Sequence, residues 1–163
     1  TTPVAGTCVT VTLEGRRPLV AEVQALVSPT TANNPRRTSA GLDSSRLAMV
    51  VAVLTRRGRV PLVASEIYAA TVGGVQLREP AADLALTMAL ASACMDRPLA
   101  PDLVAFGEIG LAGEVRAVSG IERRLVEASR LGFRRAITPQ YDGPVPDGIT
   151  VSTRHPGTAA AAA

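Results

Sequence analysis

A chain of 163 residues, 47% of them hydrophobic and with a net charge of +3, suits one domain with a sizeable core and excludes global disorder. No apolar run approaches the roughly 18–20 residues that span a bilayer. Two cysteines, Cys8 and Cys94, are too few for a disulfide framework or a zinc site, so a reducing, cytoplasmic setting is expected and no membrane partner. All 17 basic residues are arginine. Without lysine neither a P-loop nor a lysine general base exists, so the chain is not expected to hydrolyse ATP alone.

The chain does not begin with methionine and reads as a fragment of a longer protein. Residues 8–13 alternate β-branched positions, Glu14-Gly15 turns, and residues 17–27 (RPLVAEVQALV) return as a long strand, so the chain opens on a hairpin. Residues 28–39 (SPTTANNPRRTS) read as a polar loop carrying Arg36 and Arg37. Asp43 or Ser44 caps a helix to about residue 57, with Leu47, Val50, Val51 and Leu54 as its stripe and Gly58 as its stop. Residues 59–63 read as a short extended piece and residues 67–75 (IYAATVGGV) as a strand. Glu79-Pro80 opens an alanine-dense helix to about residue 95, with proline where a missing amide costs nothing.

Residues 104–139 carry the densest agreement of local signals. An apolar run ending at Ile109 meets glycines at 107, 110 and 113, and Val115 and Val118 return as a strand. Ser119 with Glu122 reads as a capping box, Ile121, Leu125 and Ala128 recur at helical spacing, and Gly132 stops the helix. A strand over 134–138, a Gly/Pro-rich loop and a last strand over 149–153 complete the domain. The expected fold is α+β, helices packed on a mixed sheet, over residues 1–155, with a flexible tail at 156–163.

GEIGLAGEVRAV, SGIERRLVEA, GFRRAITP, the helix EPAADLALTMALASA, and upstream NPRR, GLDSSRLAMVVAVL and RPLVAEVQALV together resemble the proteolytic domain of Lon-type proteases. They resemble most the C-terminal Lon-like domain of the bacterial RadA (Sms) recombination family, over roughly residues 8–153. ComM-type magnesium-chelatase-like proteins share the FGE…GEVR block but not NPRR with GLD…RLA, and rank second. The resemblance implies a Lon-type fold in which a serine and a lysine form the catalytic dyad. Aligned by hand, the serine falls on Ala81 and the lysine on Arg124, or on Arg123 with a slip of one. Alanine has no nucleophile, and arginine keeps its proton near neutrality, so no peptidase is expected.

Other chemistry is sparse. His155 lies before Pro156-Gly157 and reads as incidental, and no paired-carboxylate pattern is present. Arg124 falls in the apolar arc of its helix, where an unpaired guanidinium is costly. A salt bridge to Asp83 or Glu79, at the old nucleophile motif, is one reading; an edge-of-core arginine with its head in water is the other. Arg36, Arg37, Arg46, Arg56, Arg57 and Arg59 form the best candidate surface for phosphate contacts, and with 2% aromatics contact to backbone is expected over base stacking.

The resemblance further implies a parent that is a hexameric, ATP-driven DNA helicase acting on single-stranded or branched DNA. ATP, Mg and Zn would be held only in its upstream domains, with no cofactor or metal in this chain. Two non-enzymatic roles follow, a DNA-binding oligomerisation module or a pure assembly scaffold.

Overall fold

The structure, a computed structural model, describes residues 2–153; the readings of His155 and of the 156–163 tail lie outside the described residues. Among those residues, seven strands form one mixed sheet in the order β3-β4-β2-β1-β5-β8-β9. β1 (Thr7–Glu14) and β2 (Arg17–Pro29) are the opening hairpin, paired antiparallel from Thr7↔Gln24 to Glu14↔Arg17. β2 continues antiparallel to β4 (Ser65–Thr71), and the short β3 (Arg37–Ala40) adds parallel to β4 as one edge. On the other side β5 (Leu103–Ala105), β8 (Arg135–Thr138) and β9 (Thr150–Thr153) run parallel. β6 (Glu108–Ile109) and β7 (Val115–Arg116) form a separate small hairpin.

Two helices cover one face of the sheet and one covers part of the other. α1 (Ser44–Arg56) inserts Leu47, Val50, Val53 and Leu54 into a core shared with Val23, Ile67 and Ala69. α2 (Asp83–Met95) is buried from Asp83 through Ser92. Its alanines let the backbone lie close to β1 and β2, and Leu84, Leu86, Met88 and Leu90 fill the space around them. On the opposite face α3 (Ile121–Arg130) packs Ile121, Leu125 and Ala128 against Val11, Val104, Phe106, Ala136 and Ile149.

Four local expectations are corrected. The supposed loop 28–39 contains β3, whose polar side chains suit an edge strand with little apolar face to hide. Residues 59–63 are not a strand: Arg59 takes φ +56°, and the Val60 amide donates to the Leu54 carbonyl at 3.0 Å, turning the chain back under α1. The strand of 67–75 ends at Thr71, since Gly73 and Gly74 turn with φ near +75°.

The fourth concerns the start of α3, where the cap is Gly120 rather than Ser119 and no side chain caps the helix. Gly120 has φ +69°, and a Cβ there would meet Leu13 Cδ1 at 2.6 Å. The left-handed backbone at this position therefore favours glycine, and a larger residue would also have to displace the Leu13 methyl. At α1, by contrast, Asp43 Oδ1 accepts from the Ser45 amide at 2.9 Å, an ordinary side-chain cap.

Candidate functional site

The residues aligned with the protease dyad lie where α2 begins. Pro80–Ala82 form a single 3-10 turn ahead of α2, with Glu79 still extended before it. The Gly107 amide donates to the Ala81 carbonyl at 2.8 Å, and the Leu84 amide donates to the Gly107 carbonyl at 3.0 Å. These two bonds fix the helix start to the chain between β5 and β6. Position 81 offers only a buried methyl group. Two nearby hydroxyls are committed elsewhere: Thr12 Oγ1 donates to Glu79 Oε1 at 3.1 Å and Thr87 Oγ1 to the Asp83 carbonyl at 2.8 Å.

Arg124 is fully buried, the largest such side chain in the described residues. Its Nη1 donates to Glu79 Oε1 at 2.5 Å and to the Val11 carbonyl at 2.7 Å, Nη2 to Glu79 Oε2 at 3.1 Å, and Nε to the Ser119 carbonyl at 3.0 Å. The guanidinium carbon also stands 5.7 Å from the Phe106 ring centre, within cation–π range. Glu79 has its own second set of donors, Thr12 Oγ1 and the Leu13 amide, both at 3.1 Å. Burial raises the Glu79 pKa, but Arg124, the Leu13 amide and the Thr12 hydroxyl outweigh it and hold the carboxyl below its ordinary value. The result is a satisfied ion pair with no proton to move near neutrality.

Asp83, the other carboxylate considered for Arg124, turns the opposite way. It forms a two-pronged pair with Arg46, Nε to Oδ1 at 3.1 Å and Nη2 to Oδ2, and accepts from the Ile109 amide at 3.0 Å. Glu108 lies 3.7 Å from the same Arg46 nitrogen. Burial pushes the Asp83 carboxyl above its ordinary value, opposed by Arg46 and the Ile109 amide. Arg46, one of the phosphate-binding candidates, thus bridges α1, α2 and β6.

The remaining candidate arginines divide between a strut and exposed positions. Arg37 Nη2 donates to the Leu62 carbonyl at 3.1 Å and Nη1 to the Ser65 carbonyl, so Arg37 ties the start of β3 to the turn after α1. Arg36, at the entry to β3, and Arg56, Arg57 and Arg59, at the end of α1 and just after it, are all exposed. Among the described residues none of these four has a carboxylate within ion-pair distance. Of six arginines singled out by sequence, two are used by the fold and four face solvent. Other sites are inert: burial, with a smaller push from Glu22, raises the Cys8 thiol to about 12, and no group of three or more metal-ligating side chains occurs among the described residues.

The Val11 and Ser119 carbonyls, the Leu13 amide and Phe106 complete the Arg124 site, and no sequence signal singled them out. Three are main-chain groups that any residue type supplies, so only the docking of α3 on β1 reveals them.

A mixed sheet with helices packed on it, and a basic side chain from α3 reaching the extended residue ahead of α2, is the arrangement of a Lon-type α+β domain. Residues 68–150 match the Lon protease (S16) C-terminal proteolytic domain, and the chain belongs to that family. It is similar to the DNA repair protein RadA of Mycobacterium tuberculosis, 51% identical over 148 residues that make up 91% of this chain and 31% of that protein. The DNA repair protein RadA of Synechocystis is 49% identical over 136 residues, 83% of this chain and 27% of the relative. That of Escherichia coli K12 is 46% identical over 149 residues, 90% and 32% respectively. The chain thus spans about a third of the length of the curated relatives it matches.

Proposed function

We propose that this chain is the non-catalytic Lon-like domain of a RadA-type protein, an ATP-driven hexameric helicase that migrates branched DNA in recombinational repair. In that setting the domain is an assembly scaffold that also holds DNA without regard to sequence. ATP, magnesium and zinc belong to other domains of such a protein. The similarity to proteins named DNA repair protein RadA supports the parent. The observation that carries the non-catalytic reading is the Arg124–Glu79 pair. With a guanidinium bound to a carboxylate and two carbonyls, and alanine at position 81, the aligned dyad positions have no means to activate a nucleophile.

Arg36, Arg56, Arg57 and Arg59 supply the DNA-holding part. Exposed and, among the described residues, without carboxylate partners, they can neutralise phosphates at little desolvation cost. The test is fluorescence anisotropy of the chain with labelled single-stranded and branched DNA at low salt, together with a casein assay. The proposal expects binding and no proteolysis. Casein turnover, or no binding to either DNA, would overturn the corresponding half.

A second reading, assembly without DNA contact, is favoured by one specific observation. On the face opposite α1 and α2, Val4, Leu26 and Tyr68 are exposed over β2 and β4, at 66%, 61% and 39%. An open apolar sheet face suits protein contact. Retained sedimentation as an oligomer with no DNA binding would select it.

A further inference from the structure

The α2 side of the sheet is left open where β5, β8 and β9 run past the end of the helix layer. The strand register aligns Arg135 with Thr150 and Ile137 with Ser152, and alternation places these four side chains on one face. A groove of about 660 Å³ lies over them, within the roughly 300–1,000 Å³ of small-molecule sites. Its floor is aliphatic, formed by Met88, Leu103 and Ile137, and its rim carries Arg134 and Arg135.

The two arginines are anchored by their main chain. Both amides donate to the Asp102 carbonyl, at 3.0 and 3.2 Å. Beyond that anchor the guanidinium groups are weakly committed. Arg135 has only Asp102 Oδ1 at 3.6 Å, with its side chain 63% exposed. Arg134 has no carboxylate partner among the described residues. The groove therefore offers two guanidinium groups against one carboxylate, two hydroxyls, and an aliphatic floor in which Leu103 is the most exposed residue.

We propose that this groove binds a nucleotide, its phosphate on Arg134 and Arg135 and its base against the aliphatic floor. A phosphate monoester brings a charge near −2 and three acceptor oxygens at neutral pH, which matches paired guanidinium groups better than a single carboxylate of an acidic peptide. Thr150 and Ser152 supply donors and acceptors along the ligand's edge. None of these residues belongs to the Arg36 and Arg56–Arg59 set, so the inference goes beyond the DNA-holding reading. The nucleotide is either free or the 5′-phosphorylated end of a strand.

The test is a ¹⁵N–¹H NMR titration of the chain with AMP, with adenosine, and with an oligonucleotide bearing a 5′-phosphate or a 5′-hydroxyl. AMP is expected to shift the amides of Leu103, Ile137, Thr150 and Ser152, and adenosine to leave them in place. Arg134→Ala and Arg135→Ala, both at exposed side chains, should each weaken AMP by about tenfold or more, as loss of a charge-assisted bond does. Ser152→Leu, which fills the groove, should abolish the shifts, while Arg56→Ala with Arg57→Ala should not touch them. Shifts from the 5′-phosphorylated oligonucleotide, absent with the 5′-hydroxyl, would assign the strand end as ligand. Shifts from AMP alone would assign the free nucleotide. Groove amides that stay still with both phosphates would overturn the proposal, whatever the oligonucleotide does near Arg56–Arg59. So would an acidic peptide moving them where AMP does not.

Discussion

Arg124 and Glu79 close on each other through two hydrogen bonds, at 2.5 and 3.1 Å, with the guanidinium fully buried. One partner comes from the middle of α3 and the other from the extended residue before α2. The pair therefore joins the two faces of the sheet across β1, where the Val11 carbonyl, the Leu13 amide and the Thr12 hydroxyl complete it. An ion pair so completed resists removal of either half, because what remains is a charge in the protein interior short of its main partner.

Arg124→Met is expected to destabilise the domain by about 3–5 kcal/mol in urea unfolding, since it leaves Glu79 with only the Thr12 hydroxyl and the Leu13 amide and takes a donor from two carbonyls. Glu79→Gln, which keeps a hydrogen-bonding head, should cost about 1–3 kcal/mol. The double variant Arg124→Met with Glu79→Leu should recover part of the loss, as replacement of whole buried pairs does. With the Glu79→Leu single variant completing the cycle, strictly additive losses would show that the two residues act independently.

Stability against pH should carry two opposed contributions four residues apart. Glu79 has its folded value held below its ordinary 4.5. Its contribution is complete above about pH 4.5 and is lost as pH falls through the folded value. Asp83 has its folded value raised above its ordinary 3.8 by burial. The folded state then holds the proton more tightly, so Asp83 favours folding at low pH, and that help fades as pH rises through the folded value. Urea midpoints measured from pH 3 to pH 7 should show a smaller acid loss in Glu79→Gln than in the parent. In Asp83→Asn they should show a larger one.

The arginines singled out by sequence should separate by experiment into struts and phosphate contacts. Arg37→Ala removes bonds to the Leu62 and Ser65 carbonyls and should cost about 1–3 kcal/mol of stability. Arg36→Ala, Arg56→Ala, Arg57→Ala and Arg59→Ala should stay within about 0.5 kcal/mol of the parent. Thermal melts of the five single variants check the division.

Ala81→Ser alone should create no peptidase. The new hydroxyl would meet an arginine already bound to Glu79 and unable to accept a proton near neutrality. A fluorogenic-peptide assay should read background for the parent and the variant alike. Turnover by Ala81→Ser would show that another group acts as base.

Much of this domain is legible in its sequence because local signals coincide with the tertiary answer. The β1–β2 hairpin, the Asp43 cap of α1, Pro80 ahead of α2 and the apolar stripe of α3 all follow from patterning and cap chemistry. β3 escaped because Arg-Thr-Ser-Ala has no apolar alternation, and an edge strand needs none. Ser119 with Glu122 matched a capping box, yet Gly120 takes the cap with a left-handed backbone that glycine adopts most readily. The choice between Glu79 and Asp83 was open for the same kind of reason. Both lie near the start of α2, but Glu79 is still extended and faces β1, whereas Asp83 is in the helix and meets Arg46 from α1. Arg46, at the start of an exposed-looking helix, gave no sign of the carboxylate that docking of α2 brings to it.

The central claim, that the domain holds DNA through its exposed arginines, is tested most directly by the salt dependence of anisotropy with single-stranded DNA. The parent chain and the variant lacking the Arg36, Arg56, Arg57 and Arg59 side chains are compared. The account predicts a log–log line for the parent, and a slope shallower in the variant by about 0.7 for each lost phosphate contact. Equal slopes for the two proteins, or no binding by the parent at low salt, would contradict it.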